Sequence, residues 1–563
     1  MIDLNAKHRP NRLPLLLGGL LVLLLPAILQ AEQAWRRLPV SVYRDRMKGG
    51  WIGQIAGVSW GAPTEFKFND RIIPEESLPR WSPKMINDAF GQDDLYVEMT
   101  FLRTLEQYGL DVSIRQAGID FANSQYGLAC ANYAGRSNLR DGIAPPDSSH
   151  PRFNRCPNDI DYQIEADYSG LIAPGLPNAA IALGEKFGRL MNYGDGVYGG
   201  QFMGGMYAEA FFESDRVKVI EAGLRCIPEK SQYAEMVRDM LRWYRENPTD
   251  WQKTWGLTQK KYREDPEYQK ASNGGIDVKI NGAYLLMGLL YGEGDPDRTI
   301  IIACCCGQDS DCNPSSAAGV LFTMLGYSKL PERFTKELDE KTRFSHTAYN
   351  IPGLIDVCEK LARQIVTRDG GRIEKSAAGE EVFVIPVQRP RPSDLELSWS
   401  PGPIANSRFT EEELARIPEL GVQRALARLA PGWTIRDCGP HMGPGPLAEY
   451  RGRKNVVMTH PLDEKTPCVL SNTLQIPAGK KSMLNLLVSY HQDGDWMLMV
   501  KADGRTLYEA TVSKDAVEDG WQNVEVDLSE FAGKSVDLEL LNGKDDDWCF
   551  EAAYWGEITI ESN

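Results

Sequence analysis

The chain has 563 residues, with 62 Lys+Arg against 78 Asp+Glu and a formal net charge of −16. That length suits more than one domain with ample core, and aromatics at 9% exclude a mostly disordered chain. The acidic balance argues against nucleic acid as a partner, because phosphate binding needs clustered positive charge.

Lys7, Arg9 and Arg12 precede an apolar run over 13–29, and Gln30 and Ala31 follow it. A basic start, an apolar centre and a small residue at a cleavage position predict an export signal over 1–31. The run is short for a spanning helix, so no stable membrane span is expected once it is removed, and the chain is expected in the periplasm or outside the cell. The 11 cysteines include three in succession, Cys304 to Cys306, which read as small buried hydrophobes. No pair has the CxxC spacing of a zinc site, and the sequence does not pair the scattered remainder into disulfides.

Small residues recur through YRDRMKGGWIGQIAGVSWGAPTEF, from Tyr43 to Phe66, at a spacing that lets a helix pack closely on its neighbours. Gly61-Ala62-Pro63 stops it, and Glu65 lies just beyond. Glu65 is either surface decoration or a carboxylate held at the mouth of a helical bundle. In NDAFGQDDLYVEMT, Asp93 and Asp94 open a helical pattern continued by Leu95, Met99, Leu102 and Leu105. The helix dipole alone accounts for acids in a first turn; metal ligation is the functional alternative.

Residues 129–161 form a long polar connection of the kind that builds substrate walls. IDYQIEADYSGLIAPGLP then gathers Asp161, Glu165 and Asp167, and NYGDGVYGG places Asp195 in a glycine-rich turn. Each of these acids is a candidate sugar contact or second acid, and each also fits a cap or a turn. Helices are predicted over 179–190, 199–212, 233–247 and 280–290. GQDSDCNPSSAAGVLFTMLG, from Gly307 to Gly326, follows an apolar run and carries Asp309 and Asp311 one residue apart. A small-residue helix follows, with Asn313 or Ser315 as cap and Pro314 in its first turn. Two carboxylates against an apolar helix start are unfavourable unless a cation neutralises them. The alternative is an exposed acidic turn.

Residues 366–428 are proline-rich and read as a linker wrapping the surface, with one short helix over 411–417. From Trp433 the period changes to two, and strands are predicted over 485–490, 496–502, 506–512, 521–528, 535–541 and 554–560. Short strands at this spacing predict a β-sandwich over 429–563. Trp496, Trp548 and Trp555 serve there either as sugar platforms or as core.

In their order, GWIGQIAGVSWGAPTEF, GQDDLYVEMT, DYSGLIAPG, NYGDGVYGG and GQDSDCNPSSAAG resemble the ADP-ribosylglycohydrolase family. WQNVEVDLSEFAGKSVDLELLN and AAYWGEITIES resemble galactose-binding-like jelly rolls found beside glycosidases. The expected fold is therefore multidomain: an all-α ADP-ribosylglycohydrolase-like helical bundle over 40–365, then an antiparallel β-sandwich of jelly-roll type. The first resemblance implies a binuclear magnesium site and cleavage of N- or O-glycosidic bonds to ADP-ribose. It puts Glu65 and Asp94 in catalysis, with Gln92, Asp93, Asp94, Asp309, Asp311 and Cys312 around one or two Mg2+ or Ca2+ ions. Asp161, Glu165, Asp167, Asp195 and Asn313 are left as substrate contacts. The sequence departs from the family at Gln92, Leu95 and Cys312, where threonines are common, and at Val58, where an aspartate is common. Leu95 cannot coordinate, and a thiol suits magnesium poorly. Export and the sandwich together point to an extracytoplasmic carbohydrate substrate, with ADP-ribosyl glycosides and a non-catalytic carbohydrate-binding role as the alternatives.

Overall fold

The structure is a computed structural model and describes residues 33–270, 276–516 and 519–563. The predicted export signal lies outside the described residues. From Trp35 to Asn563 the chain forms one compact unit, helical in its first part and built of antiparallel strands in its last.

The helical part is organised on two helices, Val40–Gly61 and Cys312–Leu325. Glycines four apart lie on one helix face. A Cβ on Gly53 would sit 2.3 Å from the Ala318 carbonyl oxygen, one on Gly57 2.3 Å from that of Pro314, and one on Gly61 1.8 Å from that of Ser310. The two backbones therefore touch along this stripe. This close approach delivers the end of the first helix, and Glu65 beyond it, to the Asp309–Asp311 turn. Fully buried side chains such as Trp51, Tyr43, Tyr207 and Phe101 fill the surrounding core.

The helices expected over 179–190, 199–212, 233–247 and 280–290 are Pro177–Phe187, Asp195–Ala210, Gln232–Glu246 and Val278–Tyr291. One cap differs from expectation. Asp311, not Asn313 or Ser315, is the N-cap of the Cys312–Leu325 helix, and its side chain makes no capping hydrogen bond.

Residues 366–428 are more structured than a surface linker. Arg372–Lys375 and Glu381–Pro386 join Trp35–Pro39 in a three-stranded antiparallel sheet, with Glu381–Pro386 central. Phe383, Ile385, Phe409 and Ile417 pack into the helical core. The pairing joins the two ends of the helical part, a partner no local pattern reveals. The short helix is Glu411–Leu414, closed by a capping box between Thr410 and Glu413.

Two five-stranded antiparallel sheets form the sandwich. One runs Arg505–Val512, Trp496–Ala502, Ser535–Gly543, Cys468–Gln475, Thr434–Arg436. The other runs Gln522–Asp527, Ser482–Tyr490, Ala553–Ser562, Arg453–Thr459, Gly445–Tyr450. The six predicted strands are present, and four earlier ones, Thr434–Arg436, Gly445–Tyr450, Arg453–Thr459 and Cys468–Gln475, were not anticipated. The hairpin between two of these turns on Arg451 (φ 44°) and Gly452 (φ 77°), so arginine occupies a left-handed position where asparagine or glycine is the usual signal. Trp496 and Trp555 are fully buried, 5.3 Å apart between ring centroids. Their indole N–H groups donate to the Ser489 carbonyl and Thr459 Oγ1, both at 2.9 Å. They are core, not sugar platforms. Trp548 remains partly exposed beside His441 and His460.

Candidate metal centre

Three segments converge at the site. The first runs from Gly61 to Phe68 and carries Glu65. The Asp309–Asp311 turn is stitched to it: Gln308 N–H donates to the Phe68 carbonyl (3.1 Å), and Phe66 N–H donates to the Gln308 carbonyl (2.9 Å). Ser310 Oγ lies 2.9 Å from Thr64 Oγ1 and donates to the Gly61 carbonyl at 3.3 Å. Gly307 and Gln308 both hold positive φ, 87° and 58°, to make this turn. The second segment is the first turn of the Asp93–Tyr108 helix, with Gln92 as its N-cap. The third is the start of the Cys312–Leu325 helix. Two helix N-termini thus face the same carboxylates, and their dipoles favour negative charge there.

Asp94, Asp311 and Cys312 present ligand atoms all within 4.8 Å of one another, and so do Glu65, Asp309 and Asp311. Asp311 belongs to both groups. Asp94, Asp309 and Asp311 are buried, whereas Glu65 is partly open and Asp93 is exposed. Both carboxylate oxygens of Asp94, and Oδ1 of Asp311, have no hydrogen-bond partner. Asp309 Oδ1 accepts from Cys312 N–H at 3.3 Å. Among the described residues Lys279 is the only buried lysine, and Asp277 already holds it at 2.9 Å.

Burial, then the negative charge of Asp311 and Asp93, pushes the Asp94 carboxyl well above the usual carboxylate range. Burial and Asp309 do the same to Asp311. Asp309 is pushed up to about 7 by burial, and Glu65 is raised by burial and Asp93. Burial raises the Cys312 thiol too, and the neighbouring Asp309, Asp311 and Asp94 carboxylates add to the rise. Buried carboxylates with orphaned oxygens and no protein cation are a poor folded state unless protons or a metal ion neutralise them. Carboxylate oxygens are the donors that hard divalent cations take. The donor set fits a hard divalent cation such as Mg2+ or Ca2+, and Asp311 belongs to both groups of ligand atoms that would hold it.

The other sequence candidates fall into separate groups. Asp161 and Glu165 border the centre: Ala131 N–H donates to Asp161 Oδ2 (3.1 Å), Asn132 Nδ2 to Glu165 Oε1, and Asp93 acts electrostatically on both. Asn313 Nδ2 donates to Asn281 Oδ1 (2.9 Å), while its own Oδ1 is unpartnered. Gln92 is partly exposed at the rim. Asp167 lies deeper, accepting from Tyr207 Oη at 2.8 Å. Asp195 stands apart from the centre. It accepts from Tyr233 N–H at 3.1 Å, and its charged neighbours are Lys279 and Asp277. Its geometry is that of an internal anchor between helices.

A family model described as ADP-ribosylglycohydrolase matches residues 39–371, more than half of the chain. The chain belongs to the ADP-ribosylglycohydrolase family. Its place in that superfamily makes it a hydrolase. Comparison with curated proteins gives no match. Among solved structures, one described as an ADP-ribosylglycohydrolase-related protein complex is 14% identical, covering 58% of this chain and 99% of that one, with a TM-score of 0.38. The CBM22-1 xylan-binding domain from Paenibacillus barcinonensis Xyn10C is 16% identical over 24% of this chain and 86% of its own, at a TM-score of 0.18. A cyclase from Fischerella sp. TAU is 13% identical over 23% of this chain and 74% of its own, at 0.17.

Sequence reasoning passed over Glu98, fully buried one helical turn beyond Asp94. Its Oε2 accepts from Tyr168 N–H at 2.8 Å, and Asp167 raises its pKa after burial. An acid four residues after Asp94 in an apolar helix was the available signal. Asn281 was also missed: its Nδ2 donates to Gln308 Oε1 (3.0 Å) and its Oδ1 accepts from Asn313, so it braces the turn from below. No local pattern announced it.

Proposed function

We propose that this member of the ADP-ribosylglycohydrolase family is an exported, metal-dependent glycoside hydrolase acting on an extracytoplasmic carbohydrate. The observation that carries the reading is the pair of possible ligand groups sharing Asp311, Asp94–Asp311–Cys312 and Glu65–Asp309–Asp311, with orphaned buried oxygens on Asp94 and Asp311 and a partly open Glu65. Asp94, Asp309 and Asp311 would hold the ion, with Asp93 and Gln92 at the rim and Cys312 as a thiol neighbour. Once bound, Mg2+ or Ca2+ supplies a Lewis-acidic centre that grips neighbouring sugar hydroxyls. Glu65, raised by burial and Asp93, is suited to take a proton from water on the open side of the site. Asp161 and Glu165, both within the electrostatic reach of Asp93, serve as sugar contacts. The basic-then-apolar start over 7–29 supports export. Among the described residues no helix is long and apolar enough to cross a membrane.

A second reading, hydrolysis of ADP-ribosyl glycosides, is favoured by the family itself. Turnover of a glycan panel against ADP-ribosyl substrates, with and without EDTA, decides between them. EDTA-sensitive glycan cleavage is expected. Release of ADP-ribose alone rejects the carbohydrate reading, and bound metal without any turnover leaves a binding protein.

A further inference from the structure

Beside the metal centre, three aromatic rings from separate segments meet. Tyr96 lies three residues after Asp93 in the Asp93–Tyr108 helix, so the two share a helix face. Its ring centroid is 5.0 Å from that of Tyr126 and 5.0 Å from that of His346, and Tyr126 and His346 are 5.6 Å apart. We infer, resting on the carbohydrate reading of this centre, that these rings form a stacking subsite for an uncharged sugar ring adjoining the one at the cation, with Asn132 and Glu165 holding its hydroxyls.

Each ring is held from a different direction. Tyr126 Oη lies 2.9 Å from Thr100 Oγ1, one helical turn past Tyr96, and the Tyr126 carbonyl accepts from Arg136 Nη1 at 2.7 Å. His346 rides on a turn closed by Phe344 N–H, which donates to the Tyr349 carbonyl (3.0 Å), and pinned by Ser345 N–H, which donates to the Phe90 carbonyl (2.8 Å). Phe90 stands just ahead of Gln92, the rim residue, so the turn is fastened to the wall of the centre itself. His346 holds φ 59°, a left-handed conformation that is strained for a non-glycine residue and clusters at functional sites. Tyr96 and Tyr126 are buried, whereas His346 is exposed. The cluster thus has a fixed floor and one ring at the solvent edge.

The polar groups beside the rings decide what fits. Asn132 and Arg136 lie four apart on one face of the Cys130–Arg140 helix. Arg136 holds the Tyr126 carbonyl and Asn132 Nδ2 donates to Glu165 Oε1, so the Tyr126 segment and the Glu165 carboxyl meet that same face. Asn132 Oδ1 and Glu165 Oε2 are buried and have no partner. Asp93 and Glu165 both act electrostatically on Tyr96. A sugar hydroxyl both donates and accepts, so it answers an amide oxygen and a carboxyl alike. The C–H face of the sugar packs against the aromatic carbons. A phosphate brings only acceptors and negative charge: it leaves Asn132 Oδ1 unanswered and is repelled by Asp93. Arg136, 5.8 Å from the Tyr126 ring centroid, is already committed to the Ser124 and Tyr126 carbonyls.

Saturation-transfer NMR titrations of the full chain with Mg2+ measure binding without requiring turnover. The probes are the methyl glycoside and the homodisaccharide of glucose, galactose, mannose and xylose, with ADP-ribose as the charged comparison. A disaccharide should bind more tightly than its methyl glycoside. His346→Gly, which tolerates the left-handed backbone, and Tyr96→Leu should erase that gain, and Tyr96→Phe should keep it; thermal melts verify that each variant folds. The disaccharide should weaken by about tenfold in the two ring deletions, and the methyl glycoside by less than about twofold. A wild type without the disaccharide gain, or a gain that survives both ring deletions, overturns the subsite and leaves the carbohydrate reading standing. No sugar binding, or tighter binding of ADP-ribose than of any sugar, overturns both. A gain that both ring deletions erase, in a wild type that cleaves no glycan, upholds the subsite and overturns the hydrolase reading.

Discussion

Asp94→Asn separates metal ligation from ordinary structural use of a buried acid. Asp94 is fully enclosed, yet neither of its oxygens has a hydrogen-bond partner. The amide is isosteric and uncharged, so in metal-free protein the change removes no bond and leaves stability within about 1 kcal/mol. In wild type, a cation at a hundredfold excess over its Kd stabilises the fold by about 2.7 kcal/mol. Unfolding the helical part, residues 39–371, releases entropy of roughly 0.7 kcal/mol/K at about 2.1 cal/mol/K per residue. The cation should therefore raise the Tm by about 4 °C. Asp94→Asn should abolish that rise together with activity. Differential scanning calorimetry of both proteins, with EDTA and then with Mg2+ or Ca2+, measures every term. A metal-free variant destabilised by several kcal/mol, or one that keeps the full cation shift, refutes the assignment.

Four further outcomes are expected. Glu65→Gln should lower kcat by roughly 10²–10⁴-fold while the cation-induced Tm rise persists, because the buried aspartates remain. Cys312→Ser should tighten Mg2+ binding by up to about tenfold in titration calorimetry, since a hydroxyl is a harder donor than a thiol. Asp195 is pushed up to about 6, chiefly by burial and against the lowering pull of Lys279. Its folded value lies above the ordinary 3.8, so its stabilising contribution is whole below about pH 4 and lost as pH rises through about 6. Wild type should therefore lose up to about 3 kcal/mol relative to Asp195→Asn between pH 4 and 7, read as the difference in Tm. Gly57→Ala should destabilise by about 3 kcal/mol or more, because the new methyl would meet the Pro314 carbonyl at 2.3 Å and outweigh the roughly 1 kcal/mol gained in helix propensity; thermal melts give the sign.

The glycine spacing in the first helix, the acid pair at Asp93–Asp94 and the Asp309–Asp311 turn were all legible because each is a local pattern. Close packing, first-turn acids and a helix start leave their mark within a few residues. What stayed hidden depends on partners far along the chain. Trp35–Pro39 finds Glu381–Pro386 only after the whole helical part has folded between them, so the tail of that part read as linker. The role of Asp311 as an N-cap that caps nothing depended on seeing its oxygen left over. Asp195 misled for the opposite reason. A lone acid in a glycine-rich turn resembles a site residue, and only its contacts with Tyr233 and Lys279 show it committed to packing.

The carboxylates of the helical part divide by how their charge is answered. In the deeper layer Glu98 accepts from Tyr168 N–H and Asp167 from Tyr207 Oη, each through one oxygen. Burial raises both groups far above the usual range, and Asp167 adds to the rise at Glu98. Burial thus favours the neutral form of both groups, and each keeps a hydrogen-bond donor of its own. In the upper layer Asp94 has no donor at all and Asp311 leaves one oxygen unused, on a turn held rigid by Ser310, Thr64 and Gln308. Geometry fixed in advance with acceptors left empty is what an ion of demanding coordination requires. The same rigidity keeps Glu65 at the rim without surrendering it to the interior. The Glu98–Asp167 layer is therefore the floor on which the cation-ready layer stands, and a change at Glu98 should disturb the site through position rather than through charge.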